Sequence, residues 1–123
     1  MQQKLIIGTA QIGQDYGITN NENILNEDQA RPLVIHAREK GVQFIDTAII
    51  YGKSQEILGN VGVKDFKIIT KIPHILNDGL TNKEAEIILY DEIIKSIRSL
   101  NIDNLYAILL HEPIKQLKGI HGK

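Results

Sequence analysis

Four polar residues stand at or just beyond the ends of apolar runs in this sequence. Asp46 follows Val42-Gln43-Phe44-Ile45, and Tyr51 comes five residues later. Lys71 closes Ile68-Ile69-Thr70, and His111 closes the run from Leu105 to Leu110. Parallel α/β proteins collect their active sites at the C-terminal ends of strands. A carboxylate, a phenol, an ammonium and an imidazole gathered there would form a proton-handling set. A phenol ordinarily keeps its proton until about pH 10, so it works near neutrality only with help, and a neighbouring ammonium supplies that help. Each residue alone has a plainer reading. Asp46 suits a turn at a strand end, and Tyr51 suits a half-buried loop aromatic. Lys71 suits a solvated strand end, and His111 a hydrogen-bonded structural imidazole.

The elements that must position these residues are legible from the pattern. Leu5-Ile6-Ile7, closed by Gly8, reads as a first buried strand. Residues 11–26 are rich in Gly, Asn and Gln and read as a long loop, with Gly13 and Gly17 allowing tight turns. A helix is predicted over most of 27–40, capped near Asn26 and stopped by Gly41. Pro32 requires either that the regular helix starts close to it or that the helix kinks there. The second strand is 42–46, a short helix covers 54–60, and Phe66 to Lys71 forms the third strand. Thr81 and Glu84 have capping-box spacing at the head of the next helix. Tyr90, Ile93, Ile94, Ile97 and Leu100 recur at helical spacing and are predicted to line its buried face. After a turn over 101–104, residues 105–110 form the fourth strand. Alternating apolar strands and amphipathic helices imply one parallel sheet, strand order 1-2-3-4, with right-handed crossovers and three helices outside.

With these pieces in view, the chain resembles the aldo/keto reductase family. The resemblance is carried by Gly8-Thr9-Ala10, by Tyr16-Gly17, and by the run Asp46-Thr47-Ala48-Ile49-Ile50-Tyr51-Gly52-Lys53-Ser54-Gln55-Glu56-Ile57-Leu58-Gly59. It continues through Thr70-Lys71 and from Ser99-Leu100 to Leu110-His111, so it spans Lys4 to about Pro113. It implies a (β/α)8 barrel and reduction of an aldehyde or ketone to an alcohol by NADPH. It also implies a catalytic tetrad of Asp46, Tyr51, Lys71 and His111. Tyr51 would be the general acid and Lys71 the charge that tunes it. Asp46 would hold Lys71, and His111 would polarise the substrate oxygen. Thr9 and Ala10 would lie beside the nicotinamide, and Asp46 near its ribose. No metal is implied, and the four His residues have no ligand spacing such as H-E-x-x-H.

Composition narrows the class. At 123 residues the sequence fits one domain, and 42% hydrophobic with 24% charged residues is ordinary for a globular protein. A net charge of −1 gives no reason to expect nucleic acid or an anionic membrane as partner. There is no cysteine for disulfides or thiolate sites. No apolar run approaches the roughly 20 residues of a membrane span, and Met1 to Lys4 lack a signal-peptide core. The expectation is a soluble, cytoplasmic protein. No G-x-G-x-x-G loop is present, against a Rossmann site.

A whole barrel needs around 250 residues. Residues 1–123 therefore read as the N-terminal half-barrel, the first four strands of a (β/α)8 fold, truncated after strand 4. The resemblance places most NADPH contacts in the other half. Gly8, Gly52 and Gly59 suit tight backbone geometry. Two open sheet edges and one uncovered face predict self-association. A non-catalytic half-barrel that pairs with itself is the alternative reading. A Schiff base at Lys71 in an aldolase-like enzyme is a further one, and it leaves the Asp46–Gly59 run unexplained.

Overall fold

The computed structural model describes residues 4–13, 24–74 and 79–112. Four strands form one sheet in the order β1-β2-β3-β4, every neighbouring pair parallel. They are β1 (Ile6–Gly8), β2 (Phe44–Asp46), β3 (Lys67–Ile72) and β4 (Ala107–Leu110). Helices α1 (Glu27–Glu39), α2 (Ser54–Val61) and α3 (Asn82–Leu100) make the crossovers. Strict β/α alternation leaves a parallel sheet as the workable packing, because each crossover helix covers the strands it connects. The expected strand order and direction are found.

Local chemistry sets the helix limits. Asn26 caps α1 through its side chain, which accepts from the Gln29 N–H at 3.0 Å, while the Gln29 side chain accepts from the Asn26 N–H at 3.1 Å. At the other end Gly41 takes a left-handed φ of 75°, its N–H donating to Arg38 and that of Val42 to Ala37. That pair of bonds is a Schellman stop. Pro32 lies inside α1, which runs unbroken from Glu27. The helix neither begins at Pro32 nor divides there. Pro32 and Asp28 are both exposed, so the Asp28 carbonyl released by the missing N–H meets water. Thr81 caps α3 with Glu84, and Asn101 at φ 50° ends it.

The core lies between the sheet and the helices. Ile45, Ile68, Val34, Leu58, Val63 and Leu100 are each fully or almost fully buried there. Helices α2 and α3 meet without side-chain spacers at Gly59. A Cβ on Gly59 would collide with the Ser99 carbonyl oxygen, so only glycine permits this approach. Gly8 is different, for a Cβ there would meet nothing within 4 Å; the expected tight geometry does not apply to it.

Tyr90 corrects the expected face of α3. It is 63% exposed, while the fully buried positions of the helix are Ser96 and Leu100. A polar residue at the most buried line displaced the apolar reading by part of a turn. Outside the helix-covered core, Leu5, Ile6, Ile108, Leu109 and Leu110 are exposed along the two edge strands. An apolar cavity of about 160 Å³ lies beside β1 and α1, lined by Ile7, Leu25, Leu33 and Val34 among others. Among the described residues no helix is long and apolar enough to cross a membrane. Tyr16, Gly17, Pro113 and the segment beyond Pro113 lie outside the described residues.

Candidate active site

Register brings the first two members together. Asp46 is paired across the sheet with Ile69, so Lys71 lies two residues further along β3 on the same face. The Lys71 ammonium donates to both Asp46 carboxylate oxygens, at 2.8 and 2.7 Å, and to the Thr47 carbonyl at 3.2 Å. Side chains of the pair are 19% and 32% exposed, so the ion pair is only partly shielded from water, and its charge-assisted hydrogen bonds hold the ammonium at a fixed point.

Tyr51 reaches the same place from the loop between β2 and α2. The Lys71 Nζ stands 5.3 Å from the centre of the Tyr51 ring, within cation–π range. From β4, register continues Lys71↔Leu109 and Ile72↔Leu110, and the His111 N–H donates to the Ile72 carbonyl at 2.9 Å. This places the His111 ring 6.3 Å from that of Tyr51, nearly perpendicular to it. His111 Nδ1 is buried without a hydrogen-bond partner among the described residues. The four predicted residues thus meet around Tyr51 and Lys71 at the C-terminal end of the sheet. A phenol, a fixed ammonium and an imidazole there could protonate and polarise an oxygen atom.

The loop carrying Tyr51 is tied at both ends. The Thr47 and Ile49 N–H groups donate to the Ile69 and Lys71 carbonyls, extending the β2–β3 ladder past β2. Beyond Tyr51, the Gln55 amide donates to the Thr70 hydroxyl at 2.8 Å, and its oxygen accepts from the Ser96 hydroxyl at 3.0 Å. The loop from β1 packs against the same segment. The Lys53 N–H donates to the Gly13 carbonyl, and a Cβ at Gly13, φ 72°, would stand 2.8 Å from the Lys53 carbonyl carbon.

Of the other predicted residues, Thr9 is buried and its hydroxyl donates to the Asp46 carbonyl at 3.0 Å. Its Oγ therefore supports the end of β2. Ala10 is partly exposed in the following turn. His36 and His74 lie apart, both exposed, and no group of three metal-ligating side chains occurs among the described residues. Gln55, Ser96 and Ser54 were not read as site residues. The one available signal was their polarity at positions that helical spacing turns inward.

The family model for the aldo/keto reductase family matches residues 4–120. Solved structures agree in fold. A Pseudomonas aeruginosa protein assigned as an aldo-keto reductase superposes with a TM-score of 0.70 at 24% identity, over 96% of this chain and 46% of that one. An aldo-keto reductase from Klebsiella pneumoniae, in complex with NADPH, gives 0.63 at 20% identity, over 95% and 40%. The chain therefore spans less than half the length of these structures. Strand order, parallel register and the match over nearly the whole sequence lead to one assignment: the chain belongs to the aldo/keto reductase family.

Proposed function

We propose that this chain supplies the proton-transfer side of an NADPH-dependent reductase that converts an aldehyde or ketone to an alcohol. The observation that carries this reading is Lys71, held by both Asp46 oxygens and set over the Tyr51 ring. When a carbonyl carbon accepts hydride, negative charge grows on its oxygen and a proton must reach it. Tyr51 would give that proton, a role worth roughly 10²–10⁴ in rate. As the proton leaves, charge builds on the phenol oxygen, and the Lys71 ammonium stabilises it. Asp46 keeps the ammonium from swinging to solvent. His111 would donate a hydrogen bond to the same substrate oxygen.

NADPH, when bound, supplies the hydride. The residues present fit its reacting end. Gly8 leaves open backbone beside Asp46, its register partner, and Ala10 and the Asp46 carboxylate would line that space. Thr9 would act from below, by holding the Asp46 backbone. The remaining cofactor contacts belong, on this reading, to the other half of a barrel. Titrated alone, the chain is expected to bind NADPH weakly or not at all. Joined to a family C-terminal half-barrel, it should consume NADPH with a panel of aldehydes and ketones, and Tyr51→Phe should lower that turnover by about 10²–10⁴. Undiminished turnover in Tyr51→Phe would overturn the reading.

The exposed apolar edges, Ile6 on β1 and Ile108 to Leu110 on β4, favour a second behaviour. The chain by itself should associate with further copies, because parallel edges left unpaired and a sheet face left uncovered among the described residues seek partners. Size-exclusion chromatography over a dilution series tests this. A concentration-independent monomer would dismiss it.

A further inference from the structure

We propose that Gln55 is a positioning residue that aims Tyr51 at Lys71; this rests on the reading of Tyr51 as the proton donor. Tyr51 differs from Asp46 and Lys71 in how it is held. Those two sit within or at the end of hydrogen-bonded strands, whereas Tyr51 sits in a loop between Ile49 and Ser54. Before Tyr51 the loop is fixed by the Ile49 N–H on the Lys71 carbonyl at 3.2 Å. After Tyr51 the side-chain tie to β3 is the Gln55 amide on the Thr70 hydroxyl at 2.8 Å. The two anchors land on consecutive residues of β3, one of them Lys71 itself. The loop is thereby referenced to the strand that carries the ammonium.

Burial makes this tie directional. Gln55 is 7% exposed, Thr70 is 0% and Ser96 is 2%. Water cannot replace either bond, so an amide buried here must keep both partners. Ser96 on α3 donates to the Gln55 oxygen at 3.0 Å, which fixes the orientation of the amide and turns its N–H toward Thr70. An apolar side chain of the same length would fill the space and release the loop. Ser54 adds a weaker tie, its hydroxyl donating to the Thr9 carbonyl at 3.2 Å. That bond references the loop to the segment after β1. The Tyr51 N–H on the Ala48 carbonyl and the Ser54 N–H on the Tyr51 carbonyl set its local turn, and the Gln55 tie adds the second reference to β3.

Proton-NMR contacts in the 123-residue chain test the proposal without using turnover, so it stands or falls separately from the reductase reading. In the unsubstituted chain, cross-peaks should link the Tyr51 ring protons to the Lys71 side-chain methylenes, and Lys71 to the Asp46 Hβ. In Gln55→Met and in Thr70→Val the Tyr51–Lys71 cross-peaks should be lost while the Lys71–Asp46 ones persist. In Gln55→Glu both sets should remain, because the Thr70 and Ser96 hydroxyls can each donate to the carboxylate. Retention of the Tyr51–Lys71 cross-peaks in folded Gln55→Met and Thr70→Val would overturn the proposal. So would their absence from the unsubstituted chain, their loss in Gln55→Glu as well, or the joint disappearance of both sets. If Gln55→Met does not fold, Thr70→Val decides alone. Loss of fold in both would assign the network to the core and overturn the proposal too.

Discussion

The two faces of the sheet are built for different ends, and along β2 and β3 they alternate residue by residue. On the helix side stand Ile45, Ile68, Thr70 and Ile72, none more than 2% exposed. On the other side stand Asp46 and Lys71, partly exposed and bonded to each other. One peptide separates Ile45 from Asp46 and Thr70 from Lys71. The pleat sends neighbours to opposite faces, so the same short strands secure the fold on one side and present chemistry on the other. Stability and site geometry should therefore respond to different substitutions although the residues adjoin.

The largest expected effect tests the helix side. Leu58→Ala empties a fully buried position and should lower unfolding free energy by about 2–5 kcal/mol, read by urea titration. A loss under about 1 kcal/mol would mean that this face is not the stability core. Next comes Gly59→Ala. Its new methyl would collide with backbone at Ser99, and a forced shift of α2 against α3 should destabilise by about 1–3 kcal/mol. Both variants should keep the Lys71–Asp46 contact while folded.

Lys71→Met tests the opposite face. It should change stability by only about 1 kcal/mol or less, since the pair is partly solvated, yet, on the proposed reading, remove the turnover of a completed barrel. A destabilisation as large as that of Leu58→Ala would collapse the distinction between the faces. The smallest effect lies outside both. Arg38 donates to both Asp65 oxygens at 2.6 and 2.8 Å, and these bonds hold the Asp65 carboxyl below the ordinary carboxylate range. A depressed folded-state value means the contribution is present above the unfolded value of about 3.9 and fades as pH falls through the folded one. At more than a third exposed on both sides, it should amount to less than about 1 kcal/mol. Asp65→Asn should flatten that part of the acid limb, and an unchanged limb would show the pair to be idle.

Legibility in the sequence followed the same division. Strands and their order could be read because apolar runs, caps and stops are local: Asn26, Gly41 and the Thr81–Glu84 pair act within one turn of chain. The convergence of the four candidate residues could be anticipated because a long motif carries Asp46 and Tyr51 together. Gln55, Thr70 and Ser96 could not be read as a network, since each polar residue acquires its meaning from a partner at least fifteen positions away. Tyr90 misled for the converse reason. Helical spacing finds apolar stripes without saying which one the sheet covers, and the covered line here includes a serine. Pro32 does not mark the helix start, because a lost helix bond is tolerated where water replaces it.

The mutual satisfaction of Asp46 and Lys71 has a consequence for anything that closes over the strand ends. A lone buried charge would repel or attract an arriving surface and would demand a counter-ion from it. This pair carries no net charge, so an approaching surface has no counter-charge to provide and the pair contributes little long-range field. The pair itself should therefore add little salt dependence to association across this end of the sheet.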